Sequence, residues 1–417
     1  MEYGITLEQN ANAPARPRGD RREAVRESRA PRVAVLCDLR EENWHSMNLV
    51  ADMLLEQTAA RARGVETVRV CPPMRRRFSR AGANGWRFNA DRLANRFWDY
   101  PRHLRALRAG FDLFHVVDHS YAQLVHHLPP ERTVVTCHDL DAFRCLLEPA
   151  AEPRPALFRA MTRRVLDGFR RAARVACDSH ATRDELLAHR LLPAERLTVI
   201  PNGVHPAFTS EPSPRADAEA ARLLGPAEEG APELLHVGST IARKRVDVLL
   251  RVFAAVRESF PRARLVRVGG AFTPAQAALA DELKLRDAVI VLPHLDADVL
   301  AAVYRRAALV LQPSEREGFG LPVVEALACA TPVVASDLKV LREVGGDGAV
   351  CYRPVGDVPA WADAATRLLR ERAHAPDAFA ARRAAATARA ATFTWADYAA
   401  RTVALYREVL EDAEARP

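Results

Sequence analysis

Gln312-Pro-Ser-Glu-Arg-Glu-Gly-Phe-Gly-Leu-Pro-Val-Val-Glu-Ala-Leu-Ala-Cys-Ala-Thr-Pro-Val-Val334 is the stretch from which the rest of the chain can be read. Before it, the apolar run Ala308 to Leu311 reads as a buried strand of a parallel sheet. A short polar loop follows, then Gly318-Phe-Gly320, then an amphipathic helix starting near Leu321-Pro322. Proline suits a first helical turn, where its missing N–H removes nothing needed. Pro332 to Ala335 is the next strand. The unit is strand–loop–helix–strand, with two glycines and two carboxylates where open α/β sheets bind ligands.

The carboxylates are Glu317, in the loop, and Glu325, about one turn into the helix. Unsatisfied N–H groups at the helix start, exposed by Gly318 and Gly320, can accept a phosphate. Glu325 beside that phosphate cannot be its ligand, because like charges repel. It is suited instead to accept hydrogen bonds from vicinal hydroxyls, as on a ribose. Glu317 can take hydroxyls of whatever the diphosphate carries. Phosphate, ribose and a polyhydroxylated group together describe a nucleotide sugar. For an isolated Glu pair the plainer alternative is that one offsets the helix dipole and the other is solvated.

The segment resembles the retaining glycosyltransferases of family 4, whose hallmark is Pro-Ser-x-x-Glu-Gly-Phe-Gly-Leu-Pro-x-x-Glu-Ala. Here it runs from Pro313-Ser314 through Glu317-Gly-Phe-Gly-Leu-Pro322 to Glu325-Ala326, and it outweighs the plainer alternative. One departure is Cys329-Ala330-Thr331-Pro332, where the family usually has Cys-Gly-Thr-Pro. If that position has a positive φ, alanine costs about 1 kcal/mol or more, which reads as tolerated.

At 417 residues the chain is too long for one core and suits two domains. It is 49% hydrophobic and 27% charged, as expected of a globular protein. A net charge of +7 favours anionic partners, although the excess is arginine and reflects composition bias in part. Cys37, Cys71, Cys137, Cys145, Cys177, Cys329 and Cys351 lack CxxC spacing, a reducing-compartment pattern without a disulfide or zinc framework. The polar first thirty residues have no apolar run after them and read as a disordered leader rather than a signal peptide. No stretch is long and apolar enough to span a membrane, and a cytoplasmic location is expected.

In the first half, strands are expected at Val33–Cys37, Val65–Val70, Asp112–Val117, Thr133–Cys137, Arg174–Cys177 and Leu197–Ile200, alternating with helices such as Ser46 to Arg63. That order makes a parallel, doubly wound sheet. The loop Asp38 to His45 has no glycine, so it is no dinucleotide fingerprint, which argues against an oxidoreductase. Trp44 and His45 line the acceptor side or merely precede a helix. His138, in Thr136-Cys-His-Asp-Leu140, stands at the carboxyl end of a strand and points into the crevice. It matches the family's Thr-x-His-Asp-Leu element, which implies a place against the donor sugar. Ser179 is a helix N-cap. From Arg75 to Arg108 arginines interleave with Trp86 and Trp98. Such a stretch is a solvated face, or a binding face for an acidic or lipid-linked acceptor, with peripheral contact to an anionic membrane surface. Nucleic acid is not expected as a partner.

Pro201-Asn-Gly-Val204 is a turn that resembles the family's element before the interdomain linker, and 206–232 reads as linker with room for one helix. The second sheet opens with Glu233 to Gly238, followed by Ser239 and then Arg243-Lys244 at a helix start. Cations are out of place there on dipole grounds unless an anion occupies the terminus. The resemblance implies diphosphate binding by Lys244, with Arg243 supplying the charge that many members carry where this chain has Ser239. Gly269 and His294 lie in turns that the resemblance places near the nucleotide base. The last helix, with Trp395, Tyr398, Leu405 and Tyr406 on one face, is similar to the family's terminal helix, which returns to the first domain.

The resemblance covers roughly residues 31 to 412. It implies the GT-B fold: two Rossmann-like doubly wound domains, 31–205 and 233–392, facing across a cleft, with a leader at 1–30 and a returning helix at 393–417. The expected reaction moves a sugar from a UDP- or GDP-linked donor to an unknown acceptor hydroxyl, with retention, in polysaccharide, glycolipid or glycoside synthesis. His138, Arg243, Lys244 and Glu317 would be catalytic. Gly238, Ser239, Gly269, His294, Gly318, Phe319, Gly320, Leu321 and Glu325 would bind the donor. No metal or other cofactor is expected, since Lys244, Arg243 and the helix start would disperse the charge of the departing diphosphate without one. The alternatives are a nucleotide-sugar isomerase or epimerase on the same scaffold and a non-catalytic nucleotide-sugar binder.

Overall fold

The protein is described from a computed structural model that covers residues 29–60, 64–80, 85–228 and 230–415. The leader expected at 1–30 lies almost wholly outside the described residues, as does the end of the helix read to Arg63.

Two six-stranded sheets, parallel throughout, form the two lobes. The first has the order β2-β1-β3-β4-β5-β6. Its strands are β1 (Arg32–Leu36), β2 (Glu66–Val70), β3 (Leu113–Val116), β4 (Thr133–Cys137), β5 (Arg174–Cys177) and β6 (Leu197–Val199). The second has the order β12-β11-β10-β7-β8-β9. It is built from β7 (Glu233–Val237), β8 (Arg264–Val268), β9 (Val289–Leu292), β10 (Leu309–Gln312), β11 (Val333–Ser336) and β12 (Val350–Arg353). β3, β4, β10 and β11 are buried along their whole length. That is the signature of parallel strands covered on both faces, and it explains why they read as unbroken apolar runs. β12, at the sheet edge, buries only Val350 of its four residues.

In each sheet the strand order reverses once, between β1 and β3 in the first and between β7 and β10 in the second. Crevices open at the carboxyl ends of strands at such points. The Gly238-to-Lys244 loop follows β7 and the Pro313-to-Gly320 loop follows β10, so topology alone brings the two signature loops together.

The stretch 206–232 is more structured than a linker. Its helix Pro214–Leu224 buries Ala216, Ala220 and Leu224 with Phe208 in the second lobe's core, and Asp217 takes an ion pair from Arg305 at 2.6 Å. The last helix, Trp395–Glu414, packs Trp395, Tyr398, Tyr406 and Val409 into the core beneath β1, β3 and the helix His45–Ala60. There the Tyr406 hydroxyl lies 2.7 Å from Nδ1 of the fully buried His115, whose Nε2 is 2.7 Å from Thr136 Oγ1. The crossing point is tight. A side chain on Gly203 would fall 2.2 Å from Trp395 N, and Val204 N donates to Phe393 O at 3.0 Å.

Ala330 has φ +56° and only 5% exposure, in the turn that follows the helix Leu321–Ala328. An L-residue in that region carries about 1–2 kcal/mol of strain, which glycine escapes at some cost in chain entropy. Ala330→Gly is therefore expected to raise the unfolding free energy by about 0.5–1 kcal/mol in urea denaturation. A loss of stability would show that the alanine methyl, not the backbone, dominates this turn.

Candidate active site

Lys244 and Arg243 stand in a short turn, Ala242–Lys244, just before the helix Val246–Ser259. Lys244 is 8% exposed, and its Nζ donates to Glu317 Oε1 at 2.6 Å. Arg243 Nη1 reaches Glu317 Oε2 at 3.3 Å and donates to the Arg316 carbonyl at 2.9 Å. Gln312, at the end of β10, donates to the same Glu317 Oε1 at 2.7 Å. Burial presses against ionisation of Glu317, yet Lys244 and Arg243 beside it hold its carboxyl down to about 2. The backbone joins the two loops as well, since Glu315 N donates to the Arg243 carbonyl at 2.7 Å.

Three residues past Glu317, Gly320 is the N-cap of the helix Leu321–Ala328. Gly320 holds φ +95°, no side chain caps the helix, and Pro322 lies within its first turn. Phe319 is buried edge-on against Phe393, with ring centroids 5.6 Å apart, and Leu321 is half-buried. One turn on, Glu325 is buried and accepts from Tyr304 Oη at 2.9 Å. Burial pushes its carboxyl up to about 7, against the Tyr304 hydrogen bond and the charge of Lys244.

Around this centre the turns after β7, β8 and β9 are laced together. Gly238 N donates to Val268 O, and Gly269 N to Leu292 O. Gly269 has φ +125° and a side chain there would fall 2.1 Å from Gly238 O, so this approach admits only glycine. The buried Arg267 donates to Gly238 O at 2.9 Å and also to Gly270 O. Ser239 is exposed. His294 lies at the interlobe surface, its ring stacked on His45 of the first lobe at 3.7 Å and 6°.

From the first lobe, His138 approaches the same centre but its ring is engaged at home. Nδ1 is 2.6 Å from Asp178 Oδ2, and Nε2 is 2.8 Å from the Val117 carbonyl. A carbonyl and a carboxylate both need a donor, so the ring carries both protons. Burial opposes that charge, but Asp178 outweighs it and raises the imidazolium to about 9. Asn202, in the interlobe turn, donates to the same Asp178 oxygen at 2.9 Å. The part of His138 that meets the second lobe is its carbonyl, 1.8 Å from where a side chain on Gly318 would begin.

Polar contacts close the lobes around this point. Gly318 O accepts from Ser179 Oγ at 2.9 Å and Thr182 Oγ1 at 3.3 Å. Glu343 takes the N–H groups of His180 and Ala181, at the start of the helix that Ser179 caps. Arg243 Nε is 2.8 Å from Asp141, and Arg316 reaches Asp141 and Glu152 at 3.2 Å. A cavity of about 200 Å³ lies between them, lined by Asp139, Asp141, Arg144, Arg243, Arg316 and Glu317 among others.

The structure thus brings Arg243, Lys244, Glu317, Gly318 and Gly320 to one place, with His138 abutting it and Glu325 beneath. Ser239 and His294 have no bond to that centre. Asp178, Asp141, Gln312 and Arg316 emerge only in three dimensions. A hint was available for Gln312, a polar residue closing an otherwise apolar strand. Lys244 had a compositional signal too, being one of only three lysines among sixty cationic residues. Among the described residues, no three His, Cys, Asp or Glu side chains are placed to share a metal ion, and no helix is long and apolar enough to cross a membrane.

The family model described as "Glycosyltransferase Family 4" matches residues 50–208, and "Glycosyl transferases group 1" matches residues 222–387. Two similar curated relatives are named D-inositol 3-phosphate glycosyltransferase. The Mycobacterium marinum protein is 34% identical over 67% of this chain and 59% of its own length. The Thermobispora bispora protein is 36% identical over 62% and 61%. The matches therefore span about three fifths of those relatives. Among solved structures, a sucrose-phosphate synthase from Thermosynechococcus elongatus superposes with a TM-score of 0.71, at 22% identity over 91% of this chain and 99% of that one. The Anabaena protein HepE, solved with UDP and glucose, gives 0.66 at 16% identity over 92% and 100%. Likeness at these identities establishes the two-lobed GT-B fold.

A histidine whose folded-state pKa is raised stabilises the fold below about pH 6.5, and that stabilisation is lost as pH climbs through about 9. Asp178→Asn removes the carboxylate responsible. The His138 ring protons, followed by NMR, should then titrate near or below the ordinary histidine range, and the His138 share of the stability loss above pH 6.5 should vanish. An unchanged His138 titration would dismiss Asp178 as its partner.

Proposed function

The chain belongs to glycosyltransferase family 4, and from that premise we propose that it moves a sugar from a UDP- or GDP-linked donor to an acceptor hydroxyl, with retention of anomeric configuration. The observation that carries this reading is the meeting of Lys244, Arg243 and Glu317 at the uncapped start of the helix Leu321–Ala328. In the reaction the bond from the anomeric carbon to the diphosphate breaks, and its electron pair stays on the diphosphate oxygen. The acceptor oxygen bonds to the same face of that carbon, and its proton passes to the departing diphosphate. The chemical need is to disperse charge on the leaving group, and a preorganised pair of cations with a helix start does so without reorganisation.

Every cation of this centre is matched by a carboxylate. Lys244 is held by Glu317, and Arg243 by Glu317 and Asp141 with Asp139 at 3.8 Å. A diphosphate would take Arg243 from the first-lobe carboxylates, while Glu317, freed in part, would turn an oxygen to the donor sugar. Glu325 would accept from the ribose hydroxyls. His138 would act as a fixed positive charge behind the sugar, since both its N–H groups are already spent. Charge neutralisation rests on side chains in this reading, and no metal is assigned.

With a panel of UDP-, GDP- and ADP-sugars, nucleoside diphosphate release that depends on an acceptor is the expected result, unaltered by EDTA. Epimer formation without acceptor, or binding without turnover, would replace the reading with an isomerase or a binder. Lys244→Ala should lower kcat by about 10²–10³-fold, the usual effect of losing one donor to a developing anion.

Glu325 supplies a separate pH test. If only its ionised form accepts the ribose, nucleoside diphosphate should bind about tenfold more weakly at pH 6 than at pH 8, given a carboxyl held near 7. Glu325→Gln should flatten that profile in calorimetric titrations. A slope that survives the substitution would assign the titration to another group.

A further inference from the structure

Five of the arginines between Arg75 and Arg105 fall into two sets. Arg77, Arg92 and Arg96 are used within the fold. Arg77 grips both oxygens of Asp99, at 2.7 and 2.8 Å. Arg92 and Arg96 turn to the buried Glu42, and Arg96 lies 4.0 Å over the Tyr121 ring. Arg75 and Arg102 are exposed, and with His103 they line a cavity of about 300 Å³ at the carboxyl ends of β1 and β2.

That cavity has an unbalanced charge. Asp99 is its one lining carboxylate and is already taken bidentately by Arg77. Arg75 reaches it only at 3.8 Å, and Arg102 acts on it only through space. The Arg77 hydrogen bonds, with the Arg75 and Arg102 charges behind them, hold its carboxyl below the usual range. Arg77 also feels the charge of Asp91, so three guanidinium groups share two carboxylates. One positive charge is left over at the mouth of this concave space, where Arg75 keeps 73% of its side chain exposed.

The geometry is prepared rather than incidental. Asn95 accepts from Arg75 N and donates to Arg75 O, both at 2.8 Å, and so fixes the backbone that carries Arg75. Asp91 caps the next stretch, taking the N–H groups of Arg77, Phe78 and Ser79. The guanidinium of Arg102 rests on the Trp98 ring at 4.1 Å, which limits its motion. The floor is Tyr100, fully buried and bonded to the ends of β1 and β2 through the carbonyls of Cys37 and Val70.

We propose that this cavity is an anion-binding subsite of the first lobe and that it holds a phosphate group carried by the acceptor. A phosphate anion answers the surplus positive charge and offers the oxygens that planar guanidinium forks bind best. The word acceptor rests on the transferase reading above, whereas the binding of phosphate does not. Phosphate can arrive on a soluble molecule or on a lipid headgroup, and the half-exposed Trp98 at the rim suits either.

Equilibrium dialysis of the full chain against inorganic phosphate tests the subsite directly. Wild type is expected to hold two phosphates, one here and one at Lys244. Arg75→Gln/Arg102→Gln should lose the first with at least a tenfold weaker constant, Lys244→Ala should retain it, and Arg75→Lys/Arg102→Lys should recover part. Both arginines are exposed, so the variants should fold. Sedimentation with phosphatidylglycerol vesicles, against phosphatidylcholine alone, separates the sources. Capture that the Gln variant loses identifies a headgroup, and phosphate binding without capture identifies a soluble acceptor. The proposal is overturned if the Gln variant binds phosphate and vesicles as wild type does. If donor turnover fails in wild type while two phosphates still bind, the transferase reading fails and the subsite stands.

Discussion

The ion pair between Lys244 and Glu317 is the constraint around which the second lobe is arranged. Each partner is nearly withdrawn from water, and an unpaired charge there would cost several kcal/mol. The pair can exist only because β7 and β10 are neighbours, and they are neighbours only because the strand order reverses between them. Leu309–Leu234 and Val310–Leu235 set the register that places the two following loops side by side. Around that contact, Gly269 removes the side chain that would keep its turn from the Gly238 carbonyl, and Arg267 ties the carbonyls of the turns in place. A buried salt bridge is weak evidence of stability. Here it keeps a cation stationed where a more highly charged anion can claim it.

The two lobes meet through hydrogen bonds and ion pairs more than through apolar packing. Gly318, Glu343, Arg243 and Arg316 each bond across the gap, and such polar contacts can be exchanged for water or ligand at modest cost. The fixed elements lie at the back. There the last helix is sewn into the first core by Trp395, Tyr398 and Tyr406, and Gly203 fits against it without room for a side chain. A front that can part and a back that cannot is the arrangement domain closure requires. Asn202 connects the two, because the carboxylate it binds is the one that charges His138.

Much of this was legible in the residues. The strands β3, β4, β10 and β11 are visible as apolar runs because parallel strands are covered on both faces. The edge strands β2, β9 and β12 bury one residue each, and β12 is absent from the sequence reading although its Val-Cys-Tyr is apolar. The helix at 214–224 hides behind a proline- and alanine-rich composition that resembles a linker, and only its contacts with Tyr304's helix show it to be core. At the candidate site, Arg243, Lys244, Glu317 and Glu325 were readable from spacing and resemblance because each sits at a loop–helix junction. His138 was readable as a position but not as an orientation. The direction of its ring depends on Asp178, forty residues away, and on a carbonyl that has no sequence signature. Ala330 went the other way: a single unexpected alanine raised the question of a positive φ, and the backbone there has one.

The two crevices at the strand-order reversals differ in charge, and the difference constrains what each can hold. The second is cationic and rich in glycine. The first lacks glycine after β1 and instead faces Asp38 and Asp118, both buried. Burial, and then the adjoining Asp118, push the Asp38 carboxyl well above the usual range, whereas His119 and His138 help hold Asp118 down to about 2. The pair sets several acceptor oxygens side by side. Such oxygens can accept from a hydroxyl and would repel a phosphate. A phosphorylated acceptor would therefore have to be bound at two places: its hydroxyls at the β1–β3 crevice, and its phosphate at the nearest surplus of cations. In the first lobe, Arg75 and Arg102 supply that surplus, beside the other flank of β1. The spacing between hydroxyl and phosphate in the acceptor would then be set by the width of one strand and its loop.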